Sequence, residues 1–455
     1  MKNARLLFVG VIGAALAFCP MTGAVGAQRG PSQTDLALID GVIQLVERDY
    51  VRKLGAHDLT KDALKGMLNR LDPHSDYMDE QEFKESQANI TGKFGGLGIE
   101  ISEVHGVPKI IAPIDGTPAA KAGLEPGDLI VAINGDPTRG VGLSKIVHTL
   151  RGKPGSKVTI TIQRGPEKRF DVAIVRSIIA VQTVKSKLEP NGIGYVRITE
   201  FDGTTPADFK KAIIAMKQKA GGKLSGLVLD LRNDPGGLLS SAVSVAGNFL
   251  DDGTVVTIHG RHKVDDETYK ATKGGALLPK ETPMVVLING ASASASEIVA
   301  GAMQDRKRAT IMGTQSFGKG SVQTIIPLNG HGALRLTTAL YYTPSGRSIQ
   351  GKGITPDIVV EAAKANQVAG VLPRESTLHG AFRNPGSLVK PAQKGGAKSG
   401  ESKTDEESKA DLSPPIKPQV IATDKDGQLK AALAFIEKKA GGTTTAGGNN
   451  APAKD

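Results

Sequence analysis

The chain has 455 residues, with 57 Lys and Arg against 46 Asp and Glu for a net charge of +11, a single cysteine and no Trp. That length allows two or three domains with a substantial core. A basic chain so poor in aromatic side chains does not read as a nucleic-acid binder, and one cysteine excludes a disulfide framework.

Met1 to Ala27 carries Lys2 and Arg5, an apolar stretch from Leu6 to Phe18, and small residues from Gly23 to Ala27. This order predicts a signal peptide over 1–27, with an apolar part too short for a permanent transmembrane helix. Cys19 lies inside it, so the mature chain is expected to hold no thiol for a nucleophile or a metal. Lipidation at Cys19 is disfavoured by the bulky Phe18 before it. An exported, periplasmic protein is expected.

Residues 28–88 read as an N-terminal helical region, with Leu38, Val42, Leu45 and Val46, then Leu64, Met67 and Leu68, at helical spacing. From 89 to 178 the pattern turns to strands. The glycine loop Gly95-Gly96-Leu97-Gly98 enters a strand at Ile99, and Ala119 to Ala122 suggests a short helix. Gly127 to Gly135 is a strand ending in a hairpin turn, and Val158, Ile160 and Ile162 alternate with polar residues. From 179 to 365 strand and helix patterns alternate. Ile193 to Ile198 is strand-like. Thr205 caps a helix with Pro206 in its first turn and Phe209, Ile213 and Met216 on one face. The alternation continues through Leu227 to Leu231, Leu238 to Leu250, Val255 to Ile258, Met284 to Ile288 and Ser296 to Gln304. It predicts an α/β core. Residues 366–455 read as a low-complexity, disordered tail relieved by one amphipathic helix, Gln428 to Lys439, through Leu429, Leu433 and Ile436.

The chemistry concentrates near two motifs. Ser294 follows an apolar strand and the Asn289-Gly290 turn, at the entry to a helix whose free N–H groups favour a developing oxyanion. A plainer reading makes Ser292, Ser294 and Ser296 a helix cap. Lys319, in Ser316-Phe317-Gly318-Lys319-Gly320, could be stripped of water, lose its charge and act as a base. Its surroundings mimic a phosphate-binding loop, but Gly320 stands where Ser or Thr is needed and Val322-Gln323-Thr324-Ile325-Ile326 reads as a strand. A Ser-His-Asp set is the competing arrangement, from His259, His262 or His331 with Asp230 or Asp234. None of these histidines sits in a catalytic motif. His74, between Asp72 and Asp76, reads as part of a turn rather than a metal ligand; no metal and no cofactor is expected.

Ser292-Ala293-Ser294-Ala295-Ser296-Glu297, Phe317-Gly318-Lys319-Gly320 with Gln323, Asp230-Leu231-Arg232 with Gly236-Gly237, and Leu71-Asp72-Pro73-His74-Ser75 occur together and in order. Over residues 35 to 362 the chain resembles the carboxyl-terminal processing proteases, serine peptidases with a Ser-Lys dyad. The resemblance implies a crotonase-like α/β protease core with an inserted PDZ domain. It makes Ser294 the nucleophile, Lys319 the base, Gln323 the residue that hydrogen-bonds and orients the lysine, and the N–H groups of Ala295 and Gly237 the oxyanion hole. Gly95, Gly96, Leu97 and Gly98 would take a substrate carboxylate, the peptide adding as a strand; the plainer reading is a glycine hairpin with no ligand. Protein substrates with accessible C-termini are the implied partners, with a homo-oligomer and an adaptor protein allowed by the family pattern. The alternative is a non-catalytic periplasmic PDZ scaffold or chaperone.

Overall fold

The computed structural model describes residues 32–114, 116–368, 373–387 and 416–442. The expected signal peptide, with Cys19, lies outside them. The chain divides into two units, one running to Ala63 and the other starting at Leu64. The first opens on helix α1 (Gln33–Asp49), where Ser32 and Asp35 exchange side-chain-to-backbone hydrogen bonds of 3.1 and 2.9 Å in a capping box. Its stripe of Leu38, Val42 and Leu45 is exposed. Glu47 accepts from the N–H of Ala56, where α2 (Ala56–Asn69) begins.

In the second unit β1 (Asp76–Met78) leads to α3 (Glu80–Thr91), which ends on Gly92 at φ 65°. Strand β2 (Lys93–Gly96) pairs antiparallel with β9 (Ser177–Ala180), and these two strands are the stalk of a small β-domain. That domain contains β3 (Ile99–Val104), β4 (Val107–Pro113), α4 (Pro118–Lys121), β5 (Leu129–Ile133), β6 (Asp136–Pro137), α5 (Leu143–Leu150), β7 (Lys157–Arg164) and β8 (Lys168–Val175). Its sheet runs β3-β4-β5-β7-β8, with β6 paired to β5. The alternation read at residues 158–162 is the inward face of β7: Val158, Ile160 and Ile162 are buried against Ile110 and Ile130. Asn134 and Gly135 both take positive φ in the hairpin turn, the requirement that favours this residue pair.

The larger core contains β10 (Val184–Leu188), β11 (Ile193–Ile198), α6 (Thr205–Lys219), β12 (Gly226–Asp230), α7 (Leu239–Gly247), β13 (Thr254–Gly260), β14 (Glu267–Lys270), β15 (Met284–Ile288), α8 (Ala295–Asp305), β16 (Thr310–Gly313), β17 (Ser321–Pro327), β18 (Ala333–Tyr342) and β19 (Ile358–Val359). One sheet runs β10-β11-β12-β15-β16-β19 and is parallel from β11 onward. Every residue of β12 and β15 is buried, as central parallel strands require when both faces are covered. Leu227, Leu229 and Val286 pack with Phe209, Ile213, Val245 and Val299 of α6, α7 and α8. Val228, Val285 and Leu287 face the other way. The remaining strands form an antiparallel sheet, β1-β18-β13-β14, with β17 on β18. Helix α6 departs from expectation by one residue: Thr204 is its cap, and the Asp202 carboxylate accepts from the N–H of both Thr204 and Thr205.

The helix expected in the C-terminal tail is present, and the segment leading to it packs on the core. Residues 388–415 lie outside the described ones, but the chain beyond them returns to the core. Ile416 forms a bridge with Gln367, and α9 (Gly427–Gly442) lays Leu429, Ala432 and Ile436 on Val228, Val285 and Leu287. Asp426 meets Arg232 through two hydrogen bonds of 2.8 and 2.7 Å, with Asp230 on the other side of the guanidinium and all three side chains fully buried. Burial alone would raise the Asp230 carboxyl; the Arg232 charge beside it holds it below the usual range. A lone Asp in a polar stretch carries no sign of this, because its partner lies far upstream. Breaking a buried ion pair from one side leaves an uncompensated charge, so Asp426→Ala should lower stability by about 3–5 kcal/mol in urea denaturation. A loss within the range of a surface substitution would mean that the pair does not anchor the returning chain.

Candidate active site

Strand β15 ends at Ile288, and the turn after it is tied to the neighbouring β12 end. The Ser292 hydroxyl donates to the Leu231 carbonyl at 2.7 Å, and the N–H of Ala293 and the Ser296 hydroxyl both donate to the Asp234 carbonyl. These bonds drive Ser294 to φ 56° and ψ −112°, a strained conformation for a residue with a side chain. Its hydroxyl makes no cap bond. It opens into a cleft of about 840 Å³ that is also lined by Lys319, Gln323, Gly237, Glu200 and Tyr341.

Ala295 begins α8 and is fully buried. Gly237 has φ 136°, and a Cβ there would lie 2.2 Å from the Phe201 carbonyl oxygen. At Gly236 a Cβ would stand 2.8 Å from that of Ser294. Both positions therefore need glycine, and the need brings this backbone against the serine turn. Among the described residues no protein acceptor takes the N–H of Gly237 or of Ala295.

Lys319 precedes β17. Its backbone N–H donates to Glu297 at 2.9 Å, and its carbonyl accepts from the Tyr341 hydroxyl. The lysine amine has no ion pair or hydrogen bond among the described residues. Burial lowers its pKa and Arg335 pushes the same way, while Glu375, Glu297 and Asp72 act in opposition.

In the sequence Glu297 closes the Ser292–Glu297 motif without a role of its own. It is fully buried and accepts four hydrogen bonds: from the N–H of Ser294 at 2.8 Å, Gly318 at 2.7 Å and Lys319 at 2.9 Å, and from the Ser316 hydroxyl at 2.5 Å. Burial pushes its carboxyl up to about 7, against the pull of those four donors. The spacing Ser-x-x-Glu, a capping-box pattern, was the available signal.

Gln323 lines the cleft, but the expected bond to Lys319 is not formed. Its amide nitrogen donates to the hydroxyls of Ser321 at 2.9 Å and Thr337 at 3.1 Å. A register shift between Val322 and Gln323 in the β17–β18 pairing accompanies this placement. Thr337 in turn donates to Asp72, whose carboxylate also caps the turn at His74 and Ser75. His74 bonds Glu375 at 2.8 Å, so the Leu71–Ser75 segment braces the lysine side of the cleft. Among the described residues no histidine lines the cleft, and His259 pairs with Asp266 elsewhere, which leaves the Ser-His-Asp arrangement without geometry. Among the described residues no group of three or more His, Cys, Asp or Glu side chains is placed to hold a metal ion.

Gly95 to Gly98 lie apart from this site. Gly95 and Gly96 belong to β2 and pair with Ile178 and Ser177, while Gly96, Leu97 and Gly98 line a second groove of about 240 Å³ with Ile99, Val147 and Arg151.

Comparison with known proteins finds the Peptidase family S41 model over residues 192–360, a PDZ domain model over 109–164 and the activating protease CtpB N-terminal domain over 22–82. A carboxy-terminal-processing protease of Bartonella bacilliformis is 50% identical over 349 residues, 76% of this chain and 80% of that protein. A probable CtpA-like serine protease of Staphylococcus aureus is 35% identical over 346 residues, 76% of this chain and 68% of that one. Among solved structures, a photosystem II D1 C-terminal processing protease is 29% identical, covering 71% of this chain and 92% of its own, with a TM-score of 0.42.

Glu297 generates its own test. A carboxyl whose folded pKa is raised from 4.5 to about 7 adds stability that is full below 4.5 and lost as the pH climbs to 7. The loss amounts to about 3 kcal/mol. Glu297→Gln should flatten that part of the pH–stability curve and lower kcat at least tenfold, because an amide cannot accept from all four donors. An unchanged pH–stability curve would show that Glu297 does not titrate as its burial demands.

Proposed function

The chain belongs to peptidase family S41 and is a serine-type C-terminal processing peptidase with a PDZ domain, and on that premise we propose that it cuts exported proteins near their C-termini through an acyl-enzyme formed on Ser294, with Lys319 as the base. The observation that carries this reading is the pairing of a strained serine with a partnerless, desolvated lysine in one cleft, both backbones held by Glu297. A neutral Lys319 amine takes the Ser294 proton as the oxygen attacks the carbonyl. The N–H groups of Ala295 and Gly237 receive the negative charge. The lysine ammonium then gives its proton to the leaving amine, and on the return it deprotonates the water that frees the acyl group. Gln323 acts by fixing the start of the strand that follows the base, through Ser321 and Thr337. The scaffold alternative has no observation in its favour.

Two expectations follow for the reaction. Ser294→Ala and Lys319→Ala should each lower kcat/KM for a peptide by about 10³-fold or more, and Lys319→Arg should do the same because a guanidinium stays charged. Since burial lowers the lysine pKa, the charged form returns as the pH falls, so kcat/KM should rise with pH through that lowered value and then level off. A flat profile in a folded, chemistry-limited enzyme would remove Lys319 from the role of base.

The signal peptide would bring the chain to the periplasm, with an oligomer or an adaptor as further partners. The PDZ domain is proposed to receive the substrate C-terminus in the groove beside β3, with the carboxylate at the backbone of Gly95 to Gly98. Arg151, at the end of α5, stacks on the Phe94 ring at 4.2 Å and reaches Asn89 of α3 at 3.4 Å, while Asn89 lines the catalytic cleft. A peptide entering beside Phe94 and Arg151 would therefore bear on α3, and the domain gates turnover as well as docking substrate. Replacing 89–178 by a short linker should alter kcat for a short peptide as well as for a full-length protein. Loss confined to the long substrate would leave the domain as a docking module.

A further inference from the structure

Among the described residues four carboxylates line the catalytic cleft: Asp76, Glu82, Glu85 and Glu200. Three have cationic or ionisable partners within the fold. Asp76 faces Arg335 at 3.5 Å, Glu82 holds Lys65 at 2.7 Å, and Glu85 holds His148 at 2.5 Å. Glu200 has neither an ion pair nor a side-chain hydrogen bond among the described residues. With Lys319 neutral in its working state, Glu200 is the charge that the cleft leaves unbalanced.

Its position is rigid. Glu200 follows the end of β11, and its carbonyl accepts from the Thr205 hydroxyl at 3.0 Å. The next residue, Phe201, donates its N–H to Gly236 at 2.8 Å and accepts from Leu238 at 2.6 Å, in a parallel bridge to Gly237. Glu200 thus directly precedes Phe201, the residue bridged to Gly237, a proposed oxyanion donor. Half-buried Leu238, Leu239 and Tyr269 line the same cleft. Apolar walls beside an unpaired carboxylate suit a side chain with a long aliphatic stem and a cationic head. Glu200 is exposed to the open cleft, and partial desolvation, then the neighbouring Asp202, raise its carboxyl above its ordinary range.

We propose that Glu200 is a specificity-determining residue that pairs with a lysine or arginine side chain of the substrate close to the scissile bond. This rests on the reading of the cleft as the site of peptide cleavage. The substrates are then chains with a basic residue at one fixed distance from the cut, and acidic residues are rejected at that position.

The test uses fluorogenic octapeptides of one apolar background, with Lys, norleucine or Glu placed in turn at each position. With the full-length enzyme, one position should show a preference for Lys over norleucine of roughly tenfold in kcat/KM, the scale of a charge-assisted contact. Glu200→Gln should abolish that preference, and Glu200→Lys should turn it toward Glu. The same peptides are titrated onto Ser294→Ala protein with and without Glu200→Gln, so that binding is read apart from chemistry. Cleavage without a Lys preference at any position, or a preference that survives Glu200→Gln, overturns the assignment and leaves the peptidase reading intact. A Glu200-dependent Lys preference in binding, with no cleavage by the unmodified chain, supports Glu200 and defeats the proposed reaction.

Discussion

A single buried carboxylate holds together the cleft that Ser294 and Lys319 line. Glu297 takes hydrogen bonds from the backbone of Ser294 on one side and of Gly318 and Lys319 on the other. The two segments reach it from different strands, so their alignment depends on this one group rather than on sequence proximity. A fully buried acid that accepts four bonds is satisfied only while those four donors stay where they are. The strained backbone at Ser294 persists for the same reason: the surrounding bonds over-determine it.

Around that centre the cleft draws on distant parts of the chain. The Leu71–Ser75 turn supplies Asp72 and His74, which brace Thr337 and Glu375 on the lysine side. The Asp230–Gly237 segment supplies the glycines that let the backbone pass close to the serine. Behind it Arg232 is gripped by Asp230 and Asp426, so Asp426 steadies the segment that carries Gly237, one of the two proposed oxyanion donors. The charges of the cleft sort accordingly: those that hold the fold are paired, and those left without a partner, Lys319 and Glu200, face the space where a peptide would lie.

The small β-domain stands on the two strands of its stalk and meets the larger core again at α3. Helix α3 carries Glu82, Glu85 and Asn89 along one wall of the cleft, while Gln81 and Glu85 bond His148 of α5. A ligand that moves α5 therefore acts on a wall of the catalytic cleft through contacts already formed. That is the physical content of coupling between the two grooves.

Much of this molecule is determined locally and is legible in the chain. The α/β alternation, the buried face of β7 and the Asn134-Gly135 turn follow from the period of apolar residues and from turn chemistry, which need only near neighbours. Ser294, Lys319, Gln323 and Gly237 stand in motifs dense enough to be picked out singly, and the structure brings them to one cleft. What tertiary structure alone decided are the pairings over long separations. Gln323 turns to Thr337 instead of Lys319 because the register of β17 on β18 sets its direction, and register is a property of two strands. The helix after Asp426 is legible from its apolar spacing, but Asp426 itself is not, because the value of a buried charge lies in a partner 194 positions away. Glu297 looked like any acid in the first turn of a helix, since burial and the four donors around it arise only once the Ser294 turn and the Ser316–Lys319 segment converge.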